Sequence, residues 1–226
     1  MAKLHTLGLA IALAGVVAGQ ARAEMVTVGA PAVPGTGTTL PFGSDPSVWG
    51  GEYQQAYDFA QLGATGGRDI LGITFYASQY AGLQGDVATG IYTLTLSTTP
   101  DFTNLSSALA SNIGADKVVV FSGALPALSN GELTIHFTHS FRYNPKLGSD
   151  LLLDVTATGA DTAAPLYLDF TDGSNPAGVV TARTDTLLGF GDQTGLVTTF
   201  AVPEPASLIV FGAGLLGLAG AVRRRA

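Results

Sequence analysis

The chain contains no cysteine, which excludes disulfides, thiolate-held zinc and a cysteine nucleophile. Histidine is nearly as scarce. His5 falls in an apolar leader, and His136 and His139 are the other two. A serine triad would have to draw on one of these, and no G-x-S-x-G elbow is present. Basic residues are few in the body: between Glu24 and Glu204 there are five against 17 acidic residues, a formal charge of −12. That balance excludes a phosphate-neutralising surface, and with it nucleic-acid binding. It suits an exported domain kept dispersed by self-repulsion. There is no phosphate loop: Gly63, Gly66 and Gly67 in LGATGGRD have the wrong spacing and lack the Lys-Ser/Thr pair. No internal repeat is visible.

Long apolar runs are confined to the two ends, and so are the remaining basic residues. The first 23 residues read MAKLHTLGLAIALAGVVAGQARA. Lys3 precedes an apolar run of 12 residues, Leu7 to Ala18, and Ala21-Arg22-Ala23 follows as a small-x-small cleavage site. This is the order of parts in a secretory signal peptide, with cleavage expected after Ala23. The run is short for a stable span, which needs about 20 apolar residues.

The last residues read AVPEPASLIVFGAGLLGLAGAVRRRA. The stretch 206–222 is uncharged, and 17 residues at ~1.5 Å each give a helix of roughly 25 Å, at the low end of what crosses a bilayer. Arg223, Arg224 and Arg225 follow at once and favour the cytoplasmic side as a stop-transfer cluster. Ala213, Gly217 and Ala221 fall four apart on one helix face, which would let another helix pack closely. Ahead of the helix, Pro205 suits its first turn, and Pro203 biases Val202 to an extended shape. A stiff extended segment outside the membrane is one that a processing enzyme could grip.

Val202-Pro203-Glu204-Pro205, then a short span, then an arginine cluster resembles the PEP-CTERM sorting signal of Gram-negative bacteria. The resemblance covers about the last 25 residues. It implies export through the inner membrane, transient residence there as a single-pass protein, and recognition by an exosortase. It also implies a destination at the cell surface or in an extracellular matrix of exopolysaccharide or biofilm. The same tail region is sometimes labelled an ice-binding protein C-terminal domain, a label for the tail that carries no activity for the body.

The middle reads as β-structure. Ile91 to Ser97 alternates, with Tyr92, Leu94 and Leu96 on one face and Thr93 and Thr95 on the other. From Glu132 to Arg142, Leu133, Ile135, Phe137 and Phe141 share a face. Further strands are expected at Ile70–Ala77, Lys117–Ser122, Leu151–Thr158, Pro165–Thr171, Val179–Ala182, Thr186–Phe190 and Leu196–Val202, with a short helix at Leu105–Ala110. The expected fold is all-β: an antiparallel, jelly-roll-like β-sandwich between the signal peptide and a C-terminal transmembrane helix. The divisions are 1–23 signal peptide, 24–51 irregular lead-in, 52–201 ectodomain and 202–226 sorting signal. The phrases YQQAYDF, LTLSTTPDF, SNIGADKVVVFSG and NPKLGSDLLLDVTATG resemble a recurrent PEP-CTERM ectodomain. That resemblance implies a β-sandwich and supplies no catalytic residues.

Candidate chemistry in the body is sparse, and no enzyme activity is expected. His136 and His139 are three apart, which on a strand puts them on opposite faces; His139 then joins Leu133 and Phe137, partly buried. The carboxylate pairs Asp150/Asp154 and Glu52/Asp58 have the residue type of a glycosidase but nothing that selects them over solvated strand ends. Asp169, Asp172, Ser174 and Asn175 form an oxygen-rich turn that calcium could use, although D-F-T-D-G-S-N lacks the EF-hand pattern and an Asp-Gly turn is the commoner explanation. No other cofactor is implied. Thr93 and Thr95 are too few for a flat ice-binding array. Trp49, Tyr53, Tyr57, Tyr76 and Tyr80 could stack on sugars, so a lectin-like module, with or without calcium, stands as the alternative to a surface or matrix protein; core packing is the ordinary use of such rings.

Overall fold

The computed structural model describes residues 23–30, 37–62, 67–78, 85–144, 147, 149–161, 164–171, 181–185 and 193–203. They form an all-β body spanning Ala23 to Pro203. Its strands are β1 (Ala23–Val28), β2 (Glu52–Tyr57), β3 (Arg68–Tyr76), β4 (Thr89–Thr99), β5 (Val118–Gly123), β6 (Glu132–Tyr143), β7 (Asp150–Asp161), β8 (Phe170–Thr171), β9 (Thr181–Asp185), β10 (Gly195–Leu196) and β11 (Thr198–Pro203).

Two antiparallel sheets carry the body. One has the order β1-β11-β3-β6 and the other β5-β4-β7-β2-β9, while β8 and β10 form a small third pair. Among the strands of six residues or more, the first pairs the last, β2 pairs β7, β3 pairs β6 and β4 pairs β5. This nesting is the wrap of a jelly roll. The inward rows meet in one core. Val28, Ile73, Phe75, Ile135 and Phe200 come from the four-stranded sheet, and Tyr53, Tyr57, Tyr92, Leu94, Leu153 and Val155 from the five-stranded sheet.

The apolar row of β4 lies where its pattern places it. Tyr92, Leu94 and Leu96 are buried, while Ile91 is exposed. Other expectations change. Pro165–Thr171 contributes only β8, preceded by isolated bridges from Leu168 to Thr38 and Ala77. The strand expected at Val179–Ala182 is β9, further along, and Leu196–Val202 divides into β10 and β11. Leu105–Ala110 holds a single 3-10 turn at Leu109–Ser111 rather than a helix. Thr186–Phe190 lies outside the described residues.

The lead-in is structured in part. It opens with β1, and Asp45 caps a 3-10 turn at Pro46–Val48 by accepting from the Ser47 amide at 2.8 Å. Phe42 and Trp49 are fully buried, with the Phe42 ring 4.8 Å from Phe75 and 5.9 Å from Tyr92. The segment therefore plugs the space between the sheets.

Strand β2 was hidden in the sequence because EYQQAY does not alternate. Both of its faces are buried. Tyr53, Gln55 and Tyr57 point into the main core, and Ala56 packs with Leu105 and Leu152 under the 101–113 segment. A strand covered on both sides has no solvent face to mark with polar residues.

Candidate functional site

The first and last strands meet at the point where both terminal segments join the body. In β11, Ala201, Val202 and Pro203 lie opposite Met25, Glu24 and Ala23 of β1. Pairing of β11 with β3 stops at Ala201, opposite Gly72. Val202 and Pro203 are thus held in the sheet by β1 alone. Proline tolerates this place because it is the last position of the strand, where a missing N–H disrupts least.

Val202 points inward and is only 3% exposed. Its neighbours are Val26, Leu62, Arg68, Ile70, Tyr143 and Phe200, which enclose a residual cavity of about 10 Å³. That volume is at the threshold for a single water and leaves no room for a ligand. Beside it, Arg68 Nη1 donates to Glu24 Oε2 at 2.8 Å, tying the start of β1 to the start of β3. So two of the four residues of the suspected sorting motif are core-facing or ladder-held parts of the body.

Comparison with known families matches residues 201–225 to the PEP-CTERM protein-sorting motif. The tail is a PEP-CTERM sorting motif. Such a motif implies recognition by an exosortase and export with sorting to the cell surface. Nothing among the curated proteins and nothing among the solved structures matches the chain. Glu204, Pro205, the apolar run 206–222, the small-residue face Ala213, Gly217 and Ala221, the cluster Arg223 to Arg225, and Ala21 all lie outside the described residues. Among the described residues no helix is long and apolar enough to cross a membrane.

The other candidates fall apart or regroup. Trp49, Tyr53 and Tyr57 are fully buried, so they offer no ring face to a sugar; Tyr76 is half-buried, and Tyr80 lies outside the described residues. Tyr57 instead packs edge-on against Phe200 at 4.9 Å and shares a 3.0 Å hydrogen bond with the Thr198 hydroxyl. Burial, opposed only in part by that bond, holds its phenol well above the usual tyrosine range. His139 is exposed rather than partly buried, and its Nδ1 lies 3.2 Å from Thr138 Oγ1. The reason is a bulge. Between Phe141, opposite Ile70, and His136, opposite Gly72, residues 137–140 face Leu71 alone. The bulge swings this part of β6 toward β5, where Thr138 Oγ1 donates to the Val120 carbonyl at 3.1 Å. Alternation does not run through it. Among the described residues no three His, Asp or Glu side chains gather as metal ligands. Asp169, just before β8, is buried, while Asp172, Ser174 and Asn175 lie outside the described residues.

The structure gives neither candidate carboxylate pair a shared setting. Asp150 and Asp154 are four residues apart on one strand, ~13 Å at ~3.3 Å per residue, beyond the ~5–9.5 Å of glycosidase carboxylates. Asp150 Oδ2 accepts from the Phe102 amide at 2.8 Å. Asp58 caps its own turn, accepting from the Ala60 amide at 2.9 Å. The structure brings Glu52 to Asp154 instead, in direct hydrogen-bond contact. Burial raises the pKa of both. At Glu52 the Asp154 charge adds to the rise, and at Asp154 hydrogen bonds from Gln54 and Glu52 and the charge of Lys117 oppose it. Carboxyls in contact leave no gap between them of the ~5–9.5 Å that flanks a glycosidic bond.

Sequence reasoning missed the network behind that pair. Gln54 Nε2 donates to Asp154 Oδ1 at 2.9 Å and to the Leu109 carbonyl at 3.1 Å, and Gln54 Oε1 accepts from Asn112 Nδ2 at 2.8 Å. These partners are 55 to 100 residues apart in the chain, so no local pattern could have announced them.

Proposed function

We propose that the protein is a non-enzymatic surface or matrix protein of a Gram-negative bacterium, sorted and trimmed by an exosortase through its tail. Its body would reside with exopolysaccharide or biofilm after release. Before processing, the 206–222 helix would hold it as a single-pass protein of the inner membrane, with Arg223 to Arg225 inside. The observation that carries this reading is the ordered tail: Val-Pro-Glu-Pro, apolar run, three arginines, all within the matched stretch 201–225. The register supports it, because the chain enters the body at Ala23 and leaves it at Pro203, and these two residues are cross-strand partners.

The lectin-like alternative has lost its best rings, since Trp49, Tyr53 and Tyr57 serve the core. A sugar site would have to be built from other side chains. The deciding measurement is the intact mass of the protein from washed cells and from the polysaccharide fraction. The expected product starts at Glu24 and lacks Arg223 to Arg225. A product that keeps those arginines and is found only in the inner membrane would make the tail a permanent anchor and defeat the reading.

A further inference from the structure

The turn that leads into β6 carries the chain's one Asn-Gly pair, Asn130-Gly131. Ser129 and Glu132 close it: each donates its amide to the other's carbonyl, at 2.9 and 3.0 Å. The two residues between them have positive φ, 53° at Asn130 and 78° at Gly131. A two-residue type I′ loop requires this left-handed pair, and Asn-Gly adopts it readily. Both residues are exposed, and a Cβ on Gly131 would meet nothing within 4 Å. The Gly131 carbonyl accepts from the Ala77 amide at 2.7 Å. Its own amide takes no part in the closing pair.

An asparagine followed by an unhindered amide is chemically unstable, because its side-chain carbonyl carbon is one ring closure away from the next backbone nitrogen. The chain has five asparagines, and their settings separate them. Asn144 and Asn175 precede prolines, which have no N–H to lose. Asn112 is buried, bonded to Gln54 Oε1 and to the amide and carbonyl of Ser106, and it precedes the β-branched Ile113. Asn104 is exposed but precedes Leu105, whose side chain is buried with Ala56 and Leu152. Asn130 alone combines exposure with a following glycine.

We propose that Asn130 is a self-modification site, converted in the folded protein to a mixture of isoaspartate and aspartate that loosens the start of β6. Water is the co-reactant. A brief opening of the exposed turn brings the two reacting atoms together. The Gly131 nitrogen loses its proton to solvent and attacks Cγ of Asn130. The Cγ–Nδ2 bond breaks, and the side-chain nitrogen takes protons from water and leaves as ammonia. One water then opens the cyclic imide. Opening at Cγ gives an aspartyl residue; opening at the main-chain carbonyl gives isoaspartate, with the chain routed through the side chain. Either product places a carboxylate next to Glu132. Isoaspartate also adds a methylene to the backbone of a loop whose two ends are pinned, by the Ser129–Glu132 pair and by the Ala77–Gly131 bond. The change is one-way, so a protein that resides outside the cell records its age at this turn. Asn130 stays in the body whatever the fate of the tail, so the site is independent of sorting.

The test incubates the exported protein in oxygen-labelled water at neutral and at mildly alkaline pH, and reads its peptides by mass. An isoaspartyl methyltransferase distinguishes the two acids. Asn130 should convert severalfold faster than any other asparagine, gain labelled oxygen, and react faster at the alkaline pH. Gly131→Ala, which crowds the attacking nitrogen, should slow conversion severalfold. The converted protein, separated by its added charge, should exchange the Ala77 and Glu132 amide hydrogens severalfold faster than the fresh protein. Asn130→Asp, which gains the charge without the methylene, should stay within about twofold of the fresh protein. An Asn130 that stays intact, or that converts no faster than Asn104, would overturn the proposal. So would conversion without labelled oxygen, or conversion that Gly131→Ala leaves unchanged. Exchange at Ala77 and Glu132 that is the same before and after conversion would overturn the loosening of β6.

Discussion

The two sheets cover their outer faces in different ways. On the five-stranded sheet, the 101–113 segment lies over β2 and β7 and is fastened by buried side chains. Gln54, fully buried, reaches Asp154, Asn112 and the Leu109 carbonyl, and Asp150 holds the Phe102 amide. On the four-stranded sheet the outer face carries a row of threonines, one per strand: Thr27, Thr199, Thr74 and Thr134 are successive cross-strand partners. Hydroxyls link them in part. Thr27 and Thr199 are 2.7 Å apart, Thr74 and Thr134 are 3.0 Å apart, and the Tyr76 hydroxyl lies 2.6 Å from Thr199. The central two, Thr74 and Thr199, are buried, so the row is not a flat exposed array of the kind ice binding needs. One sheet depends on amides and carboxylates with no water to fall back on. The other depends on hydroxyls whose outer members still reach solvent. The cost of losing a polar group should differ accordingly.

The largest expected effect is at Gln54. Gln54→Ala removes one side chain and takes a hydrogen bond from each of three partners, of which Asp154 and Asn112 are themselves buried. A loss of ~2–4 kcal/mol is expected in urea unfolding of the purified exported protein, with the denaturant slope unchanged. Next comes Val202→Ala, which trims the last core-facing residue of β11 and enlarges the small cavity beside it. A loss of ~1–3 kcal/mol is expected. If the motif valine mattered only for sorting, the unfolding midpoint would not move. Thr199→Val is smaller. It removes the hydroxyl between Thr27 and Tyr76 but keeps the shape, and Thr27 is exposed and can turn to water. About 0.5–1.5 kcal/mol is expected. A Thr199→Val cost equal to that of Gln54→Ala would break the contrast between the sheets.

What could be read from the sequence divides along the same physical line. The tail was legible because its parts are contiguous: a proline pair, one apolar run and three arginines in a row. Strands β4 and β6 were legible because apolar and polar residues alternate along them, even where the polar face of β4 is itself covered, as at Thr95 and Ser97. The reading failed where a second layer or a bulge broke that alternation. Strand β2 lost its alternation to the 101–113 segment, and His139 lost its expected face to the bulge at 137–140. Strand β1 was hidden differently. AEMVTV sits at the seam between signal peptide and lead-in, and only its pairing with residues 198–203, at the far end of the chain, makes it a strand. The threonine row and the Glu52–Asp154 contact share that property. Each is assembled from segments far apart in the chain, and no window of the sequence contains them.

The smallest expected effect tests that carboxyl contact through pH. In the folded protein the pKa values of Glu52 and Asp154 are raised above their ordinary values of 4.5 and 3.8. The folded state therefore binds more protons than the unfolded chain between these ordinary values and the raised ones. The contribution of the pair to stability is complete below about pH 4 and is lost as pH rises through the raised values. Asp45 works the other way: its pKa is lowered by hydrogen bonds from Ser47, so its contribution is present above 3.8 and lost as pH falls further. Comparing wild type with Glu52→Gln cancels Asp45 and the other carboxylates and leaves the titration of Glu52 and its coupling to Asp154. As pH falls from 7 toward the ordinary glutamate value of 4.5, the wild-type urea midpoint should gain relative to that of Glu52→Gln, because the glutamine has no proton to acquire. Parallel midpoints across that range would mean that Glu52 keeps its ordinary pKa in the folded protein. The five-stranded sheet would then be fastened by the Gln54 amide network alone, with the acidic pair a bystander at its edge.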